Sequence, residues 1–384
     1  MKHRTLMTAA GRVGLLMLVV GLLVACGGGA TQPGATPNAT APAADATAPA
    51  ADAATTTDAT APAADAAATT GAATTEPAGA TSGAQAAAGF PVTIENCAET
   101  FTYAEAPQRA LALDGNMIEM MLELGLADRL VGYWASGAEL APETQAQLAD
   151  ATAITAEWPG PSREVVLEQS PDFIFSGWGY GFSEESGLTQ VALKELQINS
   201  YAVSESCPNA SGATTIEDTY TDITNIGRIF GVPDQAQQVI TEMQAEVEAV
   251  KGQLDASATP PSVFVYDDIG EDSPHTAGNS GLLNNLITLA GGSNVFNDLE
   301  EDWSTVGWES VIERNPDIII VMDTDWESAE DRITRLKSLP QLAEIPAIKN
   351  ERFATIHYRQ ATPGLQNAAG VRQLAEGLHP DKFQ

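Results

Sequence analysis

Basic residues are scarce in this chain: 18 Lys plus Arg stand against 51 Asp plus Glu, a formal charge of −33 over 384 residues. That sign excludes nucleic-acid binding, which relies on cations to displace phosphate counterions. Histidine is as rare, with four in the chain. No GxSxG, HExxH, Walker A or GxGxxG pattern occurs. An enzyme needs a nucleophile with a base, or a catalytic metal, and neither is evident, so catalysis is not expected. Long apolar runs are missing too. The stretch Val13 to Val24 has about twelve residues, too short to span a bilayer and suited to a signal h-region. Residues 27–89 contain no aromatic residue, no Lys and no Arg. Such a segment cannot bury enough apolar surface to fold.

What is present starts with a basic leader, Lys2, Arg4 and Arg12, ahead of that apolar stretch. The leader ends in Leu23-Val24-Ala25-Cys26, which resembles the lipobox of bacterial lipoproteins. The resemblance implies a signal peptide over residues 1–25 and lipid attachment at Cys26. The protein would then be anchored to the outer face of the cell membrane. Residues 26–89 read as a disordered Ala/Thr/Pro-rich tether, with TAPAAD beginning at Thr40, Thr47 and Thr60. Its typical reach is roughly 45 Å. Residues 90–384 keep 46 acids and 15 Lys plus Arg. With Cys26 given to lipid, Cys97 and Cys207 remain, a disulfide candidate in an exported domain. Closing that loop contributes up to about 4.7 kcal/mol in the chain-entropy view.

One pattern occurs twice. PSREVVLEQSPDFIF runs from Pro161 to Phe175, and VGWESVIERNPDIII from Val306 to Ile320. Glu164 matches Glu309, Glu168 matches Glu313, and Pro171-Asp172 matches Pro316-Asp317, each at an offset of 145 residues. Each copy reads as a short helix, a Pro-Asp turn and a strand covered on both faces. Around them, strands and helices alternate: RALALDG, a helix from Asn116, VGYW, INSYAVS, then SVFVYDD, LLNNLITLAGG and RFATIHY. Alternation of this kind predicts parallel sheets. A terminal helix is expected from about Thr362 to Gly377. Between the halves lie a helix over Ile216 to Phe230 and a longer one from Asp234 to Leu254. The longer helix has Ala236, Val239, Ile240, Met243, Val247 and Val250 on one side. The expected fold is α/β: two similar lobes with parallel central sheets, joined by a long helix, with a ligand cleft between them. The lobes fall at 90–232 and 257–384, with the interlobe helix within 233–256.

With these features in place, the chain resembles the substrate-binding lipoproteins of ABC importers for iron–siderophore complexes and cobalamin, the class III periplasmic binding proteins. NCAETFTYAEAPQRALALDGNMIEMMLELGLADRLVGY resembles the family's opening, and RIFGVPDQA its entry to the linking helix. The resemblance implies a monomer that delivers a small-molecule metal chelate or corrinoid-like ligand to an ABC permease dimer. It also implies one docking glutamate per lobe, at Glu164 and Glu309. Equivalent charges on equivalent elements suit a two-fold partner.

Ligands of α/β sheets bind beyond the carboxyl ends of the strands. The loops there supply Asn116, Trp134, Trp158, Trp178 and Tyr180 from the first lobe. The second supplies Asp267, His275, Trp303, Tyr358 and Arg359. In cobalamin-binding relatives the positions of Trp158, Trp178 and Trp303 also carry cleft aromatics. Loop Trp beside Gly and Pro makes binding platforms. Arginine is sparse here, while Asp267, Asp268, Glu271 and Asp272 crowd one loop. A large, flat or neutral ligand is therefore favoured: a corrinoid, a haem-like ring or an uncharged ferric chelate. His275 and Tyr358 are the side chains able to reach an exposed iron, but no resident metal or cofactor is expected. Two other readings stay open: a binder of free zinc or manganese, using His275, His357 and carboxylates, and a binder of a deazaflavin cofactor precursor. A surface adhesin on a stalk is a third class, suggested by the tether alone.

Overall fold

The computed structural model describes residues 89–136, 140–157, 160–177, 182–184, 186–207, 212–255, 257–267 and 273–383. The expected signal segment, Cys26 and the tether lie outside these residues. The chain opens with an antiparallel pair, β1 (Val92–Asn96) and β2 (Glu99–Tyr103). The first lobe is built on five parallel strands: β3 (Ala110–Leu113), β4 (Leu130–Trp134), β5 (Thr152–Ala153), β6 (Phe173–Ser176) and β7 (Asn199–Ala202). Their order across the sheet is β5-β4-β3-β6-β7. The second lobe has β8 (Ser262–Tyr266), β10 (Ser293–Asn294), β12 (Ile318–Asp323) and β13 (Phe353–His357), ordered β10-β8-β12-β13 and also parallel. A short antiparallel pair, β9 (His275–Ala277) and β11 (Trp303–Thr305), adjoins it. In both sheets strand order reverses near the first strand, so each has a crevice at its carboxyl edge.

Period-two alternation divides each sheet between two layers. Ala110, Ala112, Phe173 and Phe175 face one way; Leu111, Leu113 and Ile174 face the other, against Val166 and Leu193. In the second sheet Val263, Val265, Ile318 and Ile320 face inward, while Phe264, Tyr266, Ile319 and Val321 pack with Leu336 and Leu342. The inward faces of both lobes belong to one continuous core. What joins them is the helix Ile216–Phe230 and the linking helix Pro233–Lys251. The latter buries the six side chains the sequence placed on one side: Ala236, Val239, Ile240, Met243, Val247 and Val250. It is about 28 Å long at 1.5 Å per residue. Full burial of each large apolar member contributes roughly 1.5–3 kcal/mol, so the link is part of the core. Gly231 ends the preceding helix at φ 73°, a left-handed cap that suits glycine. The terminal helix begins later than expected, at Asn367, because a separate turn over Tyr358–Ala361 and the Pro363-Gly364 step intervene. Cys97 and Cys207 form a disulfide that fastens the β1–β2 connection to the segment after β7. Among the described residues no helix is long and apolar enough to cross a membrane.

Candidate functional site

The residues that follow the strands of one lobe meet those that follow the strands of the other. Asp114, directly after β3, is a non-glycine residue at φ 125°. Backbone held there costs of the order of 1–3 kcal/mol and persists only when surrounding contacts fix it. Here the Asp114 carboxylate accepts from the Asn116 backbone N–H at 3.1 Å and from Ser136 Oγ at 2.7 Å. Asn116 then points its amide at the second lobe. Its Nδ2 lies 2.9 Å from Thr362 Oγ1 and 3.1 Å from the carbonyl oxygens of Arg359 and Pro363. Gly364 permits this approach, since a Cβ there would sit 2.7 Å from Asn116 Nδ2. Asn116, expected to touch ligand, is fully buried as a lobe-to-lobe tie. Its Nδ2 is spent on the second lobe, while its buried Oδ1 has no hydrogen-bond partner among the described residues.

Arg359 extends the junction. Its Nη1 is 3.4 Å from Glu119 Oε1 in the first lobe, and its Nη2 is 3.1 Å from Asp325 Oδ2 in the second. Gln366 donates to the other Glu119 oxygen at 2.7 Å. Asp325 also lies 3.5 Å from His357 Nε2. Beside them, Tyr358 stacks obliquely with Trp326 at 5.7 Å and with His357 at 5.3 Å. Burial, then the Asp114 carboxylate, pushes the Tyr358 phenol up from its ordinary value. The group is therefore a neutral hydroxyl near pH 7.

A second group gathers around β9 and β11. His275 stacks on Trp303 with ring centres 5.4 Å apart and planes 12° from parallel. His275 Nδ1 is 3.3 Å from Thr305 Oγ1. Asp267 bridges His275 through backbone hydrogen bonds of 3.0 and 3.1 Å. Its carboxylate accepts from Arg332 at 2.6 Å. Arg332 is fully buried and also meets Glu327 at 3.2 Å. A buried cation between two carboxylates offsets the desolvation that either ion alone would suffer.

Trp134, read as a loop platform, closes β4 instead. It is 2 % exposed, packs in the outer layer of the first lobe and donates its indole N–H to Ala156 O at 3.2 Å. Trp134 is the last residue of VGYW, so its side chain follows the strand's alternation into that layer instead of standing in the loop beyond. Trp158, Trp178 and Tyr180 lie outside the described residues, as do Asp268, Glu271 and Asp272. Sequence reasoning missed Arg332, Glu119, Asp325 and Gln366, and gave Trp326 no role. For Trp326 a signal was available: it stands between two acids just past a buried strand. Among the described residues no group of three or more His, Cys, Asp or Glu is placed to hold a metal ion.

Deeper in the junction, Glu205 follows β7 and accepts from the Leu282 N–H at 2.7 Å, at the start of the helix Leu282–Leu289 in the other lobe. Burial, with Asp302, Asp222 and Asp218 nearby, raises the Glu205 carboxyl to about 7. Asp222 is also raised to about 7 by burial, against hydrogen bonds from Ser204 and Tyr201. At the outer surface, Glu164 and Glu309 are both exposed, and each is the second residue of a repeated helix, Arg163–Glu168 and Trp308–Arg314.

Comparison with known proteins gives this geometry a context. A family model described as "Periplasmic binding protein" matches residues 111–359. The vitamin B12-binding protein of Yersinia pestis is 27 % identical over 276 residues, 72 % of this chain and 88 % of its own. A periplasmic binding protein from Veillonella parvula superposes with a TM-score of 0.66 at 27 % identity, over 75 % of this chain and 97 % of its own. An ABC-type Fe3+-hydroxamate transport system structure from Saccharomonospora viridis gives 0.64 at 25 %, over 75 % and 99 %.

Proposed function

The chain belongs to the periplasmic binding protein family, and from that premise we propose that it captures a corrinoid or a ferric chelate outside the cytoplasm and hands it to an ABC permease. The observation that carries the ligand class is the state of the junction's arginines. Arg359 is shared between Glu119 and Asp325, and Arg332 between Asp267 and Glu327. Neither cation is left to neutralise a polyanionic chelate. Aromatic rings at Trp303, His275, Trp326 and Tyr358 offer faces instead, which bind flat or neutral ligands by area and polarizability. The names of the relatives at 25 % identity or more support the same class, one corrinoid and one ferric hydroxamate.

Within this reading, Trp158, Trp178 and Tyr180 complete the ligand contacts from the first lobe. Glu164 and Glu309 meet a two-fold permease, one charge from each lobe. Lipid at Cys26 and the tether of residues 27–89 hold the domain at the membrane's outer face. The test is to purify the protein from cells and record absorption and mass spectra of whatever accompanies it. It is then titrated with cyanocobalamin, ferrioxamine B and iron protoporphyrin. Saturable binding of at least one, with intrinsic Trp quenching, is expected. Bound zinc or manganese without any chelate would replace this reading with a metal carrier.

A further inference from the structure

Trp326 exposes 70 % of its surface, well above Val191 at 53 %, the next among the described large apolar residues. It lies just beyond β12, a central strand of the second sheet, in the crevice where strand order reverses. A tryptophan in water forfeits much of the burial energy its size allows. Yet its backbone is tightly constrained. Asp325 on one side is held by Arg359 at 3.1 Å and His357 at 3.5 Å. Glu327 on the other is held by buried Arg332 at 3.2 Å and by Arg335. Thr324 closes the turn beneath, with its N–H donating to Glu327 O at 3.2 Å and its Oγ1 accepting from Glu327 N–H at 3.1 Å. The ring itself leans on Tyr358, whose phenol lies close enough to the first lobe to feel the Asp114 carboxylate.

We propose that Trp326, backed by Tyr358, is a preformed seat for the cargo, selecting the face of a neutral or singly cationic macrocycle or chelate. This deepens the binding function proposed above and rests on it. A pinned pedestal lowers the ordering cost of binding, because the ring's backbone is fixed before the ligand arrives. The charge selection follows from the same pedestal. Four carboxylates, Glu119, Asp267, Asp325 and Glu327, surround three arginines, Arg332, Arg335 and Arg359. The seat thus keeps a negative balance in a strongly acidic molecule, and a trianionic ferric tricatecholate meets repulsion there. Cargo is favoured over a permease surface as the occupant because Tyr358 joins this ring to the interlobe junction.

The experiment titrates the full chain, Trp326→Ala and Trp326→Phe with cyanocobalamin, ferrioxamine B and a ferric tricatecholate, by equilibrium dialysis and Trp fluorescence. For whichever neutral or cationic ligand the wild type binds, Trp326→Ala should weaken binding about tenfold, a loss of the size expected for one stacked ring. Trp326→Phe should keep most of the affinity, and the wild type should prefer that ligand to the tricatecholate. The urea midpoint should not move, since the ring buries little. Equal affinity in Trp326→Ala overturns the seat while leaving the parent reading intact. Intact affinity with lost stimulation of permease ATPase also overturns it and makes Trp326 a partner contact. A wild type that prefers the tricatecholate overturns the charge selection. A wild type that binds none of the three, nor iron protoporphyrin, overturns the parent reading and this one together.

Discussion

The two repeated units share a frame at one end of their strands and diverge at the other. At the amino end the match is close. Ser170 and Asn315 both adopt left-handed backbone, at φ 49° and 51°, just before the paired prolines. Asp172 accepts from the Gln108 and Arg109 N–H groups at 2.9 Å, next to the start of β3. Asp317 accepts from Ser262 N–H at 3.1 Å and Ser262 Oγ at 2.7 Å, at the start of β8. Each Pro-Asp turn therefore staples its strand to the first strand of its own sheet. At the carboxyl end the lobes differ. The described part of the first lobe presents Asp114, Asn116, Glu119 and Ser136, all in polar ties. The second presents aromatic rings and ion-paired arginines. Repetition fixed the scaffold, and the crevice was left free to specialise.

The disulfide is the largest difference between the lobes, because it ties the first lobe and has no counterpart among the described residues of the second. Cys97→Ser with Cys207→Ser should lower unfolding stability by up to about 4.7 kcal/mol. Urea denaturation, followed separately by first-lobe and second-lobe hydrogen exchange, checks this. Equal loss of protection in both lobes would mean that the shared core transmits the staple. Arg332→Met is the matching lesion in the second lobe. It leaves Asp267 and Glu327 without their buried cation, and about 3 kcal/mol of destabilisation is expected. Protection should fall first in residues 324–338.

Much of this frame was legible in the residues. Continuous apolar runs, their alternation with helices and the Pro-Asp repeats gave the two sheets, and the apolar stripe of the linking helix matches its buried face residue for residue. These are local patterns, and local patterns report which face is buried. The junction was less legible because its partners are remote in sequence. Arg332 is paired on one side by nearby Glu327, but on the other by Asp267, 65 residues away. Asn116 is a tie only because residues 359–364 return against it. Trp134 shows a different error: a place in the loop beyond VGYW was expected for it although it is that strand's last residue, and the ring followed the core. The β1–β2 pair was also missed, although Val92, Ile94, Phe101 and Tyr103 alternate with polar residues and are buried.

Two buried carboxyls, one within the first lobe and one tying it to the second, should respond to pH. Asp222 and Glu205 have folded values raised to about 7, above those of an unfolded chain. The folded state therefore binds more protons between roughly pH 4 and 7, and stability falls as pH rises through that window. The slope is at most about 1.4 kcal/mol per pH unit for each group. Glu205 retains some contact with water, so Asp222 should carry the larger share. The urea midpoint should be higher at pH 5.5 than at 7.5, and Asp222→Asn should shrink that difference. An unchanged difference would assign it to general charge repulsion in this acidic chain.

The frame itself can be tested for equivalence. Asp172→Ala and Asp317→Ala each remove a carboxylate that accepts two hydrogen bonds at a strand start. Each should cost about 1–3 kcal/mol, by similar amounts if the staples are equivalent. A cost at one site alone would show that the repeat is only formal there, and thermal melts of the two variants decide it.

The smallest effect on stability, and the sharpest test of the repeat, lies at Glu164 and Glu309. Both side chains are exposed, and a solvated carboxylate in a short helix's first turn adds little to stability. Reversal to Lys should therefore barely move the melting curve. Bonding to its own backbone N–H, then to Ser162, holds the Glu164 carboxyl below its ordinary range, so it stays anionic in mildly acidic surroundings. If these residues are the docking charges, Glu164→Lys and Glu309→Lys should each reduce cargo-dependent permease ATPase while leaving ligand affinity unchanged. The double variant should be worse than either. A two-fold partner needs both charges, so comparable losses are expected from the two single variants. Loss at one site only would mean that the partner reads one lobe and that the second glutamate merely caps its helix. Loss of ligand affinity instead would move both residues out of the docking surface.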